Sequence, residues 1–398
     1  MSMPMARDAG PFNPPQGITR LRETRPVSPL LFPDGHEGWL VTGYDEVRQV
    51  LADDVSFSSR QDIGPIHVPW ETPGMPPATE PSPQVPGLFI SMDPPDQTRL
   101  RRKLTGAFTV RRMKALEERI TEIVEQQLDE LAALTPPVDL VKAFATPVPS
   151  LVICELLGVP YEDRATFQVN STQFLVKDQE LETKMNAYNA MTTYLAGLIT
   201  AKRAEPGEDI LSDLARDEDL GIDELVGISF LLLFAGHETT ANMLALGTFA
   251  LLEHPEQLAE LRADPALLPE VVEELMRYLS VVDVFFRYAT KDTEIAGETI
   301  TKDSTVVVSL LAANRDPRRF DDADGLDLHR KARGQLAFGH GVHQCLGQQL
   351  ARIEMRAGFD GLLRRFPSLR LAVAANEVRL RTDMTIYGVH ELPVTWDR

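Results

Sequence analysis

"FGHGVHQCLG", residues 338–347, holds one of only two cysteines in a chain of 398 residues. Cys345 lies among Gly339, Gly341 and Gly347 and follows His340 and His343. Glycine keeps a turn open and lets backbone approach a neighbour closely, so this sulfur is set in a loop built for contact. Several chemistries share the residue set. His-x-x-His-x-Cys supplies three zinc ligands of suitable type but lacks a nearby fourth of the Cys-x-x-Cys kind. A Cys–His nucleophile needs an oxyanion hole and a positioned third group, and the sequence points to neither. A buried structural cysteine leaves the glycines unexplained.

A thiolate bound to haem iron accounts for them. Such a ligand needs donors turned toward the sulfur, and backbone amides in an open turn converge that closely. Gly341 permits the turn, and Gly347 lets the next helix approach a porphyrin with its N-terminus toward the thiolate, where the dipole favours negative charge.

Outward from the loop, composition narrows the possibilities. With 43% hydrophobic residues the chain is an ordinary globular protein, and its two distant cysteines suit a reducing compartment. The N-terminus, "MSMPMARDAGPFNPPQG", has no apolar core of a secretory signal, and the longest greasy stretch, "LVGISFLLLFAG" (225–236), is shorter than the roughly 20 residues a bilayer span needs. A cytoplasmic protein with no membrane association is expected. A net charge of −19 argues against nucleic acid. Against that balance, "RLRRKLTGAFTVRRMK" (99–114) carries seven basic residues and no acidic one. It reads as a solvated face or as a docking patch for an acidic partner.

Residues 1–38 read as irregular, and "GWLVTGYDEVRQVLAD" as a strand leading into a short helix. Residues 60–90 are too dense in proline for helix or central strand. Their apolar residues (Ile63, Ile66, Val68, Trp70, Leu88, Phe89, Ile90) suggest a lid over a pocket. Helical periodicity runs from 97 to about 280, broken at 135–137 and 204–209. Asp223 is the expected N-cap of a long helix, 222–254, whose first half is apolar on nearly every side and so crosses the interior. "DVFFRYATKDTEIAGETITKDSTVVVSL" (283–310) alternates like a small sheet with a turn at Ala296-Gly297, helix returns after Cys345, and the last thirty residues again suggest strands. The expected architecture is a single domain, 1–398, mainly α with a minor β portion.

Two further motifs join the loop. In "AGHETT" (235–240), Ala235 and Gly236 remove side chains where a flat cofactor would approach, and Thr239 stands on the same face as Ala235. Its hydroxyl can bond the Ala235 carbonyl and loosen the helix, with Glu238 as a titratable group alongside. In "EELMRY" (273–278), Glu274 and Arg277 are spaced to pair on one helix, with Glu273 as a competitor.

Phe338, Gly341, Cys345 and Gly347, in the pattern F-x-x-G-x-x-x-C-x-G, together with "AGHETT" and "EELMRY" in that order, resemble the cytochrome P450 monooxygenases, above all their soluble actinobacterial members. The resemblance covers essentially the whole chain. It implies the P450 fold, with the long helix over a haem b whose iron is held by Cys345 in the 338–347 loop, Gly339 included. It implies that Glu238 and Thr239 are the acid–alcohol pair that handles protons for oxygen activation, Glu standing where bacterial members often have Asp. Glu274 and Arg277 become a buried structural pair closed by Arg319, with Arg318 where the family often has Glu. Arg101, Arg287 and His343 match positions that meet the haem propionates, and Gln97 stands where many relatives have His. Leu88, Leu231, Ala235, Val282, Val284 and Ile386 match substrate-facing positions and imply a hydrophobic guest such as a macrolide, another polyketide or a steroid-like molecule. With no flavin or nicotinamide fingerprint, electrons would come from an acidic ferredoxin and its NAD(P)H-dependent reductase, docked on the 99–114 run with Arg352 and Arg356. A monomer is expected. Three readings stay beside this one: a peroxide-driven peroxygenase, whose known relatives typically lack the acid–alcohol pair; a non-catalytic haem-binding or sensor protein, which needs neither the pair nor a docking face; and a zinc hydrolase.

Overall fold

The computed structural model describes residues 1–5, 7, 9–65, 67–70 and 79–397. Its one large sheet joins distant parts of the chain. Strands β1 (Val27–Leu31), β2 (Glu37–Val41), β3 (Phe57–Ser58), β4 (Val284–Ala289) and β5 (Thr305–Ser309) lie in the order β1-β2-β5-β4-β3. β5 runs parallel to β2, with Val307 opposite Leu40, and antiparallel to β4, with Val306 opposite Arg287. Every residue of β5 is buried, as suits a β-branched strand with a neighbour on each side. Between β4 and β5 the chain forms the hairpin Thr293–Ile295/Glu298–Ile300 through Ala296 and Gly297, both at positive φ (49° and 80°), the turn type that matches strand twist.

Helices make up the rest. Those that position the site are α1 (Asp96–Thr105), α2 (Glu117–Ala133), α3 (Pro147–Leu157), α4 (Arg164–Leu175), α5 (Leu181–Ala204), α6 (Ile222–Leu252), α7 (Leu268–Leu279) and α8 (Gln348–Arg365). The central helix α6 begins one residue before the expected N-cap. Gly221 caps it, its N–H bonded to the Glu224 carboxylate at 3.2 Å, and Asp223 lies inside the first turn. α6 supplies buried residues to both large apolar clusters, Leu231, Leu232 and Leu233 to one and Met243, Leu244 and Phe249 to the other. Each such side chain contributes about 1.5–3 kcal/mol by leaving water. Its glycines mark close crossings: a Cβ on Gly236 would sit 2.8 Å from Ile153 of α3.

Residues 1–38, expected to be irregular, include the helix Gln16–Thr24 and strand β1. The helix starts directly after Pro14-Pro15 and buries Ile18 and Arg22, a short amphipathic signal that the surrounding prolines hide. The last thirty residues form less strand than expected, with Arg370–Leu371 and Pro393–Thr395 in a small sheet and, between them, the isolated bridges Leu380–Val389 and Met384–Val176.

In the proline-rich segment, Ile66 and residues 71–78 lie outside the described residues. The flanks converge, since the Ser82 N–H donates to the Gln61 carbonyl at 2.9 Å. The far end locks onto α6: a Cβ on Gly87 would sit 2.0 Å from the Glu224 carbonyl oxygen, and one on Gly227 2.0 Å from that of Pro86.

Candidate functional site

The 338–347 loop is drawn together by its own backbone. The Cys345 N–H donates to the Phe338 carbonyl (2.8 Å), that of Gly339 to Leu336 (2.8 Å) and that of Gln344 to Gly341 (3.0 Å). Gly341 has φ 74°, and a Cβ there would lie 2.3 Å from the Leu51 carbonyl oxygen, so only glycine fits. Gly347 differs: its φ is ordinary and a Cβ would meet no protein atom within 4 Å. Nothing in the polypeptide itself demands glycine there. Cys345 is a free, half-buried thiol. Burial pushes its pKa up, while the Gly347 backbone and the charges of Arg101 and Arg352 pull the other way. Phe338 is buried with the Arg352 guanidinium 4.5 Å from its ring centre.

Around this loop stand two arginines and a histidine that, among the described residues, have no carboxylate within ion-pair distance. Arg287, on β4, is only 8% exposed; it donates to the Phe286 carbonyl at 2.7 Å, and among the described residues no carboxylate lies within ion-pair distance. Burial holds its pKa down to about 10. His343 is pushed down to about 3 by burial and by the charges of Arg287 and Arg101, and its Nε2 is buried with no partner among the described residues. Arg101, on α1, donates to the Gln344 carbonyl, and burial lowers its pKa as well. Two arginines whose charge is disfavoured by burial, and which together keep His343 neutral, make a site for an anion. Gln97, expected to meet the same anion, instead spends its amide on the Val342 carbonyl (2.7 Å) and so buttresses the loop.

On α6, the Thr239 hydroxyl donates to the Ala235 carbonyl at 2.9 Å. Ser229, His237 and Thr248 make the same four-residue back-bond elsewhere on the helix, so the bond alone distinguishes nothing. Exposure does. Ala235 is exposed and Thr239 half-exposed in the middle of a helix buried along most of its length. Glu238, one residue away, is buried and faces Arg381.

Glu274 and Arg277 are both fully buried and doubly bonded, Nε to Oε2 at 2.7 Å and Nη2 to Oε1 at 2.8 Å. The arginine that closes on Glu274 is not Arg319 but Arg330, at 3.1 Å. Arg319 donates to the Arg333 carbonyl and lies over the Tyr44 ring, while Arg318 pairs with Glu46 and Asp316. "NRDPRRF" does supply a buried arginine, Arg315, bonded to the Tyr278 and Phe12 carbonyls. Glu273 pairs with Arg352 instead of competing for Arg277.

The apolar positions divide. Leu88 and Leu231 pack in one cluster, Val282 and Ile386 in the other, and Phe234 of α6 touches both. Val284 packs instead with Leu30, Phe32, Leu40 and Val307. The basic run is no bare cationic face: Arg99 pairs with Glu224, Lys103 with Asp217 and Asp219, and Arg112 with Asp213. Arg352, Arg356 and Arg333 line a surface groove of about 360 Å³ together with Glu270 and Glu273.

The sequence matches the Cytochrome P450 family over residues 164–373. It is 47% identical to cytochrome P450 105C1 from a Streptomyces species, over 97% of this chain and 96% of that protein. It is 43% identical to a vitamin D3 dihydroxylase from Streptomyces griseolus, over 97% and 95%. The chain belongs to the cytochrome P450 family. Solved structures agree with this P450 throughout: CYP105P1 in complex with filipin I (TM-score 0.91, 43% identical, 100% of this chain and 98% of that one) and the mycinamicin VIII C21 methyl hydroxylase MycCI (TM-score 0.92, 37% identical, 100% of each). The protein is therefore a monooxygenase enzyme, and its family implies a haem-iron cofactor with a cysteine thiolate ligand. The residues present fit one, with a half-buried free thiol, open space at Gly347, and the uncompensated Arg101–Arg287–His343 set to receive carboxylates. Among the described residues no helix is long and apolar enough to cross a membrane.

Sequence reading missed three residues in this P450. Arg381 and Arg330 reach their partners from far along the chain, and no local spacing announces either. Glu354 on α8 is fully buried, its Oε2 without a partner among the described residues, and burial raises its pKa well above the usual range. A lone glutamate in "LARIEMRA" gives no hint of that.

Proposed function

We propose that this P450 binds haem b through the Cys345 thiolate and hydroxylates or epoxidises a bulky hydrophobic small molecule, such as a macrolide, another polyketide or a steroid-like compound. It would use dioxygen and electrons from a ferredoxin and its NAD(P)H-dependent reductase. The observation that carries the reading is a pair of arginines without a carboxylate in ion-pair distance among the described residues, Arg101 and Arg287, with the neutral His343 beside them, next to the half-buried free thiol. When bound, the haem would supply cleavage of the O–O bond and oxidation of a substrate C–H, favoured by the electron density that a thiolate donates. The polypeptide orients and excludes water. Arg101, Arg287 and His343 would bond the propionates. Thr239 offers a hydroxyl whose proton is directed at the Ala235 carbonyl and whose oxygen remains free to accept. Glu238 keeps a carboxylate one residue from that hydroxyl.

A hydrophobic guest is supported by the residues Leu88, Leu231, Val282 and Ile386, and by relatives named for vitamin D3 and mycinamicin VIII or solved with filipin I. Val284 packs elsewhere and supports it less. Electron delivery at the Arg333–Arg352–Arg356 groove and at Arg102, Arg111 and Lys114, which form no ion pair among the described residues, would use rim charges, which steer encounter more than they hold it.

The decisive measurement is the absorbance of the reduced protein under carbon monoxide. Wild type should show the long-wavelength Soret band from which the family takes its name, and Cys345→Ser should lose it. Haem-loaded, folded wild type without that band ends the thiolate assignment. In turnover, Thr239→Ala should cut product formation about 100-fold, the lower end of what a positioned proton-transfer group contributes, while reductant is still consumed.

A further inference from the structure

Glu238 is not a free acid. Its Oε2 lies 3.1 Å from Arg381 Nη1, which also donates to Asn242 Oδ1 at 3.2 Å. Asn242 in turn donates to the Glu238 carbonyl at 2.8 Å and to Oε2 at 3.4 Å. On the other side, His237 directs Nδ1 at the Leu233 carbonyl (2.8 Å) and holds Nε2 3.6 Å from Glu238 Oε1. Among the described residues, His237 from the same helix and Arg381 from the C-terminal segment are the ionisable groups facing this carboxyl. Burial pushes its pKa up, but His237 and Arg381 outweigh burial and bring it down to about 2.

Arg381 does not arrive by accident of a flexible side chain. It follows the Leu380–Val389 bridge, and its N–H donates to the Gly388 carbonyl at 2.9 Å. Gly388 lies flat against α6, where a Cβ would fall 1.9 Å from Asn242 Oδ1. The tip of the hairpin is fixed as well: the Thr385 N–H donates to the Leu175 carbonyl (3.0 Å) and the Lys177 N–H to that of Asp383 (2.7 Å). The guanidinium is thus delivered by a backbone anchored at both ends, and it is only 9% exposed.

Resting on the reading above, we propose that Arg381 is a positioning residue for the oxidation, holding Glu238 as a carboxylate beside the Ala235–Thr239 turn. Glu238 then acts as a relay that must first take a proton from solvent onto a carboxylate oxygen. The Arg381 contact loosens as that proton arrives, the proton passes to the Thr239 hydroxyl oxygen while the proton already on that hydroxyl moves on to the oxygen being reduced, and the ion pair reforms with no net change in the protein.

Infrared titration of the haem-loaded protein, with Glu238→Gln identifying the glutamate band, reads this directly. In wild type the Glu238 signal should be that of a carboxylate at every pH above about 2 at which the protein stays folded. In Arg381→Gln its protonation should move up by about one pH unit or more, a tenfold change in proton affinity. Arg381→Lys, which keeps charge but loses the planar fork, should move it by less. Product formed per electron pair should change with pH over the range in which the Glu238 band titrates, so that this range moves up together with the band in Arg381→Gln, a change that loosened packing alone does not cause. If Arg381→Gln does not fold, the lysine variant is read in its place. A band that titrates as in wild type in whichever variant is read overturns the proposal. Because the titration needs no turnover, that outcome leaves the monooxygenase reading standing, and a failed carbon monoxide spectrum leaves the ion pair standing.

Discussion

Two buried arginines, Arg277 on α7 and Arg287 on β4, have opposite accounts. Arg277 uses all five of its N–H donors within the chain: two on Glu274 and three on the carbonyls of Asn314, Ala323 and Gly325. Arg287 is nearly as buried, yet among the described residues it bonds one neighbouring carbonyl and no carboxylate. Buried charge is costly unless paired. A charge satisfied by its own chain is architecture, and one left without a counter-charge marks where something else must bind.

The largest expected effect comes from breaking the satisfied side. Arg277→Met leaves the buried Glu274 with Arg330 as its one remaining cation and frees three carbonyls, and it should lower unfolding free energy by about 3–5 kcal/mol in denaturant titration. Should it cost less than about 1 kcal/mol, the contrast with Arg287 is false. Next comes Arg287→Met. Removing an unpaired buried charge should leave the haem-free protein at least as stable as its parent, while haem affinity falls by about 1.5–3 kcal/mol, the contribution of a hydrogen bond to a charged group. Transfer of haem to a scavenging apoprotein measures this, and equal loss rates in variant and parent would remove the propionate assignment.

The smallest effect is in pH, and it sharpens where Glu238 stands. Its folded pKa, about 2, lies below the ordinary 4.5, so the folded state binds fewer protons between these values. Stability from this carboxylate is fully present above pH 4.5 and is lost as pH falls toward 2. Glu238→Gln should abolish that part of the acid slope, seen as a flatter dependence of melting temperature on pH. An unchanged slope would show that Arg381 does not act on it.

What the sequence made legible follows the range of each interaction. The loop and the Thr239–Ala235 bond lie within ten residues or one helical turn, and the long helix announces itself by one continuous apolar stretch, so local pattern foretells all three. Glu274 and Arg277 are likewise three apart. Their third partner is not local, and the family position Arg319 proved to lie over Tyr44 while Arg330 took the contact. Gln97 is similar: its place in the chain suggested an anion, but a carbonyl 245 positions away claims its amide. Arg381 was invisible because nothing in "RLRTDM" marks one arginine as bound for a buried glutamate. The helix at 16–24 was lost for another reason, since proline before a helix reads as disorder unless its N-terminal preference is weighed.

At residues 86–87 and 224–227 the proline-rich segment and the central helix interlock, each backbone filling the room that a methyl group on the other would need. Alanine at either glycine drives the two main chains apart, and no rotamer relieves it because no torsion lies between a Cβ and its own backbone. Gly87 and Gly227 therefore behave as one position divided between two elements, and variation at this joint is confined to changes that move both partners at once.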